Sequence, residues 1–154
     1  MTERAALIAR YRDGVEEVRG ALDGIAPDQL DRTPPDGGWS PRQVVHHLAD
    51  SEMTSAIRLR RLLAEDAPEI NAYDEARFAD VLHYDERPID ASLRAFEAAR
   101  ATSAELLDRV GADDWSRTGT HPEHGPYSVD DWLRIYADHA HDHAAQIRSA
   151  SGAG

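Results

Sequence analysis

The stretch Tyr136-Ala-Asp-His-Ala-His-Asp-His-Ala-Ala-Gln-Ile147 decides the fold of this chain. Trp132, Tyr136, His139, His143 and Ile147 recur at intervals of three and four residues, the stripe that a bundle helix turns towards its core. Two of these positions are histidines where leucine or isoleucine would pack better. At ~100° per residue, His139 and His143 sit ~40° apart and one turn along, so both imidazoles can reach one point. His141 falls ~200° from His139, on the opposite face. Histidines at i and i+4 in an apolar seam are half of a metal site. A hydrogen-bonded core pair is the competing reading, and a third ligand from elsewhere would decide between them.

Working outward, Ser128 with Asp131 three residues on caps this last helix. Before it, residues 112–127 read as one turn and a loop, Thr-His-Pro-Glu-His-Gly-Pro, in which His121 and His124 are expected in solvent rather than on a metal. A helix over about 89–110 is marked by Ile89, Leu93, Phe96, Ala99, Leu106 and Val110, with Gly111 after it. Residues 67–87 form a long crossover, with a short helix allowed between Tyr73 and Tyr84. Ser40, Pro41 and Gln43 give a capped start to a helix over about 41–66. In it, His47 lies between Val44 and Ser51 on the wheel and can face inwards, and Ala49, Ser51 and Ser55 leave room beside it. At the start of the chain, Leu7, Tyr11, Val15, Val18 and Leu22 predict a helix over 2–23, in which Gly14 and Gly20 each cost ~1 kcal/mol relative to alanine. Four principal helices, no strand and one long crossover predict an all-α four-helix bundle: a single domain over residues 1–150, with a frayed tail at 151–154.

Composition narrows the chemistry. None of the 154 residues is cysteine, which removes disulfides, thiolate ligands and a cysteine nucleophile together. All 17 basic residues are arginine, so Schiff-base lysine chemistry and a Walker-type phosphate loop are excluded. A formal charge of −12 argues against nucleic acid as a partner. No apolar run approaches ~18 residues and no basic-then-apolar leader opens the chain, so no membrane association and a cytoplasmic location are expected.

The ordered blocks Pro-Asp-Gly-Gly-Trp-Ser-Pro-Arg-Gln-Val-Val-His-His-Leu-Ala-Asp-Ser (35–51), Ala-Tyr-Asp-Glu (72–75), His-Pro-Glu-His-Gly (121–125) and the stretch 136–147 resemble the DinB-like superfamily, and within it the YfiT-type metalloenzymes. The resemblance implies a four-helix bundle with long crossovers, often a homodimer, holding a divalent metal on three histidines. It places one ligand in the His-Leu pair of the second helix, here His47, and the other two at His139 and His143. Zn²⁺ and Ni²⁺ are the leading ions it suggests, with Fe²⁺ and Mn²⁺ behind them. Asp142 and Gln146 stand where related sequences often carry further histidines.

Three neutral imidazoles on one side of an ion leave positions open, the catalytic pattern. Asp50, one turn after His47, and Asp138, beside the last-helix pair, are candidates to orient ligands, and Tyr136 is a candidate to line the pocket. Imidazole ligates only when neutral, so metal occupancy is expected to fall towards and below pH ~6. The superfamily includes S-transferases that use low-molecular-weight thiols, and a cysteine-free chain around an open metal site fits one: a small-molecule thiol would be the cosubstrate. Hydrolysis through a metal-activated water, and a non-catalytic metal- or small-molecule-binding bundle, are the alternatives.

Overall fold

The computed structural model describes residues 1–152. Six α-helices and one hairpin follow in order: α1 Glu3–Leu22, α2 Pro27–Leu30, α3 Pro41–Ala64, α4 Glu75–Val81, α5 Asp90–Leu107, β1 Thr118–His121, β2 Gly125–Ser128 and α6 Val129–Ser151. A 3₁₀ turn, Asp114–Ser116, precedes the hairpin. The long helices α1, α3, α5 and α6 form the expected bundle. Around its axis α6 packs between α1 and α3, and α5 closes the ring against both.

Local chemistry sets the helix starts. Ser40 Oγ accepts the Gln43 N–H while the Gln43 side chain accepts the Ser40 N–H, with Pro41 at the first helical position. Ser128 and Asp131 do the same for α6. The tail expected to fray from residue 151 is helical at Ser151, whose carbonyl accepts from Arg32 Nη1 at 2.7 Å. Gly152 ends the helix at φ 82°, in the left-handed region glycine occupies without strain. Residues 153–154 lie outside the described ones.

The strands were not expected. Each is only four residues long, and they pair antiparallel from Thr118 with Ser128 to His121 with Gly125. The crossover strap lies against this hairpin: Ile70 N–H donates to Thr120 O and Thr120 N–H to Pro68 O. Gly119 makes the approach possible, because a Cβ there would stand 2.4 Å from Pro68 O.

The core falls into two apolar clusters. One gathers Tyr11, Leu59, Leu62, Leu107, Trp132 and Leu133; the other gathers Val18, Val44, Leu48, Phe96, Ala144 and Ile147. Between them, at mid-height on α3, α5 and α6, runs a polar belt, Glu52 and Ser55, Arg100 and Ser103, and His139, which α1 meets with Gly14. The site lies in and beside this belt.

Candidate metal centre

His47 is carried inwards by α3, where Val44, Val45 and Leu48 anchor the apolar face. Its ring lies against Trp39, centroids 4.9 Å apart, which limits its rotation. From α6, His139 and His143 come off successive turns as their spacing predicts. The three imidazoles converge by the same atom: His143 Nε2 is 3.1 Å from His47 Nε2 and 3.2 Å from His139 Nε2. Three nitrogens each ~2.0–2.1 Å from one ion would be separated by about 2.9–3.4 Å, between octahedral and tetrahedral angles, so the observed spacing fits a shared divalent ion.

The donor chemistry agrees. Gln146 Oε1 lies 2.7 Å from His143 Nδ1 and accepts its proton, which leaves the Nε2 lone pair of His143 directed at the other two rings. One in-plane lone pair cannot accept well from both neighbours, whereas one cation can take all three lone pairs. Burial pushes the His47 imidazole down to about 3, and burial followed by the neighbouring histidines holds His139 well below its ordinary range. His143 is lowered as well, chiefly by burial. All three are therefore neutral near pH 7, the ligating form.

The other histidines separate from this set. His46 is fully buried but structural, with Nδ1 2.7 Å from Ser92 Oγ and Nε2 3.0 Å from Arg87 O. His141 points away from the triad and donates to Arg10 O at 2.9 Å. His121 corrects the solvated-loop expectation: it is buried on β1, while His124 is exposed. With Glu123, the two form a second group whose ligand atoms lie within 4.8 Å of one another. The His121 Nδ1, however, accepts the backbone N–H groups of Glu123 and His124 at 3.1 and 3.3 Å. Its proton is thereby fixed on Nε2, and the ring is a donor rather than a ligand.

Neither acidic candidate reaches the triad's nitrogens. Asp50 Oδ2 accepts the Tyr84 hydroxyl, and Asp138 pairs with Arg10 at the exposed face. Tyr136 does line the cavity, its ring 5.6 Å from that of His139. The cavity, about 200 Å³, opens beside His139 and is walled by α3, the crossover, the hairpin and α6. Arg58, Tyr73, Glu75, His121 and Tyr127 line it, none of which sequence reasoning assigned a role. A signal for Arg58 was present: it lies eleven residues after His47, three turns and ~20° along the same face of α3. Tyr73 and His121 fall in the segments Ala-Tyr-Asp-Glu (72–75) and His-Pro-Glu-His-Gly (121–125), where neither spacing nor pattern singles them out.

The family model of the DinB superfamily matches residues 10–147 of the chain. The chain belongs to the DinB superfamily. Within that superfamily it is 42% identical over 122 residues to an inferred metal-dependent hydrolase of Oceanobacillus iheyensis, covering 79% of this chain and 70% of the relative. A Bacillus cereus protein of the same designation is 35% identical over 142 residues, covering 92% of this chain and 82% of that one. Among solved structures, YfiT from Bacillus subtilis, described as a metal-dependent hydrolase by inference and as an unusual four-helix bundle, superposes with a TM-score of 0.90 at 29% identity, over 99% of this chain and 89% of YfiT. The mycothiol-dependent maleylpyruvate isomerase shares the fold at a TM-score of 0.73 and 15% identity, over 95% of this chain and 61% of the isomerase. No helix of this DinB-superfamily chain, among the described residues, is long and apolar enough to cross a membrane.

Proposed function

We propose that this chain is a metal-dependent enzyme that transfers a low-molecular-weight thiol to small electrophiles. The observation that carries the reading is the convergence of three imidazole Nε2 atoms beside a cavity, in a chain with no cysteine of its own. A divalent transition ion on His47, His139 and His143, Zn²⁺ or Ni²⁺ before Fe²⁺ or Mn²⁺, would supply Lewis acidity that lowers the pKa of a thiol or water brought to it. The chain's residues do the rest. Gln146 holds His143 in the ligating tautomer, Trp39 fixes the His47 ring, and Tyr136 walls the cavity next to His139. The carboxylates nearest His47 in sequence are engaged elsewhere, Asp50 by Tyr84 and Glu52 by Arg100 and Tyr11. With an ion held there, a bound thiol would lose its proton to water or to the exposed Glu75 of the cavity wall, and its sulfur would be the nucleophile that the cysteine-free chain lacks.

Hydrolysis is the second reading. Glu75 lines the cavity and is exposed, so it can move a proton to or from water there, and the similar proteins named above carry that activity in their designations. One assay separates the two. The metal-loaded protein is given monochlorobimane with and without glutathione, mycothiol or bacillithiol, and in parallel a panel of esters without thiol. We expect conjugation only with a thiol, and its loss in His47→Ala, His139→Ala and His143→Ala. Ester turnover without thiol would transfer the assignment to hydrolysis.

A further inference from the structure

Arg58 is 8% exposed and has no carboxylate within ion-pairing distance among the described residues. That is uncommon, because a buried cation is normally paired. Arg100, comparably buried in the same bundle, is paired with Glu52 at 2.8 Å. Arg58 has only neutral partners: Nη1 donates to Tyr136 Oη at 3.0 Å and Nη2 to Asn71 O, while its Nε–H has none. It lines the cavity beside His139. Two further buried hydroxyls on that wall make no well-aligned hydrogen bond to protein: Tyr73, beside Ser51, and Tyr127, beside Arg58 and Tyr136. The fixed tautomer of His121 adds an Nε2–H donor. One positive charge and several polar groups short of partners therefore line one cavity that opens to solvent, and the complement that suits them is an anion.

We propose that this cavity binds the carboxylate of a small monocarboxylate substrate, with Arg58 as its counter-ion and Tyr73, Tyr127 and His121 as neutral donors. That this anion belongs to the reacting substrate rests on the metal-enzyme reading above; its binding does not. A carboxylate matches the planar guanidinium and needs few further donors. Glu75 and Glu123 also line the cavity, and both are exposed. They oppose a second negative charge, which favours a single carboxylate over a dianion. The electrophilic or scissile part of such a molecule would extend from the carboxylate towards His139.

The test uses metal-free protein, so that no ion can hold the anion. Butyrate is titrated into ¹⁵N-labelled protein and followed by amide chemical shifts, with butyramide and inorganic phosphate as comparison probes. We expect saturable butyrate binding, with butyramide at least about tenfold weaker because it lacks the charge. Arg58→Gln should weaken butyrate about tenfold or more. Because Arg58 also holds Tyr136 and Asn71, Tyr127→Phe is the cleaner variant: it removes a hydroxyl with no well-aligned protein hydrogen bond, so the thermal midpoint should move far less than in Arg58→Gln while butyrate affinity falls about fivefold. Absence of saturable binding, equal affinity for butyramide, tighter binding of phosphate, or unchanged affinity in both variants would overturn the proposal. Metal content of the same protein before chelation tests the enzyme reading separately. Butyrate binding without metal retention would sink that reading and leave this one standing.

Discussion

Gln146 stands behind His143 and, among the described residues, is the one acceptor that fixes a tautomer within the triad. The Nδ1 atoms of His47 and His139 are buried without a protein partner. Gln146→Ala should therefore lower metal affinity by roughly 10–100-fold while all three ligands remain, measured by competition with a chromogenic chelator. His143→Ala should lose the ion outright and His141→Ala should keep it, since His141 donates to Arg10 O away from the triad; equal metal in the two purified variants would refute the ligand set. The pH profile follows from burial. Occupancy was expected to fall near pH ~6, the ordinary range of histidine. With all three imidazoles lowered, chiefly by burial, protons compete later than at free histidine, and metal analysis after dialysis at stepped pH should find half-occupancy at a lower pH than in a solvent-exposed histidine site. In the metal-free protein the sign runs against acid. Folded pKa values below the unfolded ~6.5 mean that the unfolded chain binds more protons, so stability is full above pH ~6.5 and declines as pH falls towards the folded values. Urea titrations at stepped pH should show that slope, to which the buried His46 and His121 add, and His47→Ala should flatten it by the triad's share. At this scale the i, i+4 pair was legible because helical spacing alone aims both rings. Gln146 was not legible as a partner, since i, i+3 spacing allows the contact without requiring it.

At the scale of elements, Gly14 reverses a simple expectation. Helix propensity marks both glycines of α1 as weaknesses, and at the exposed Gly20 an added Cβ meets only Arg148 Nη2 at 3.5 Å. At Gly14 the Cβ would stand 2.7 Å from Ala140 Cβ and 2.9 Å from Arg100 Nη2. Gly20→Ala should thus stabilise by up to ~1 kcal/mol, whereas Gly14→Ala should destabilise by ~1–3 kcal/mol through overpacking against α6. Chemical denaturation of the two variants decides this, and a stabilised Gly14→Ala would mean α1 and α6 are not so close. The long helices could be read from apolar period and caps, to within a few residues at each end. The hairpin could not. Its strands have four residues each, Gly119, Gly125 and Pro126 interrupt any alternation, and the pairing partner that makes them strands lies across a turn. His121 was misplaced for the same reason: its burial comes from the hairpin's tertiary position, not from local pattern.

Across the whole molecule, Arg100 joins the four long helices through one side chain. From α5 it donates Nε–H to Tyr11 O of α1, Nη1 to Glu52 of α3 and Nη2 to Tyr136 O of α6, each at 2.8 Å. Tyr11 Oη closes the network on Glu52 at 2.7 Å. Glu52→Ala would strand a buried guanidinium and should cost ~3–5 kcal/mol in equilibrium unfolding; a loss below ~1 kcal/mol would show the charge is relieved by water instead. Bundle architecture was legible from four stripes and their connections, but the ion-pair network was not, because Glu52, Arg100 and Ser103 each read alone as a surface charge or a gap in an apolar face. A different consequence follows from which parts of the chain build which parts of the site. The three converging histidines ride on α3 and α6, whose register is fixed by two apolar clusters and the Arg100 network. Much of the cavity wall is cut from the crossover and the hairpin, tied together by Ile70, Thr120 and Pro68 and standing outside that network. Descendants of such a chain could lengthen or exchange the turn between His121 and Gly125, and so reshape the cavity, without disturbing the histidine triad. Inheritance of the centre and innovation at its mouth are thus separable, and the same division offers a place to graft new specificity by hand.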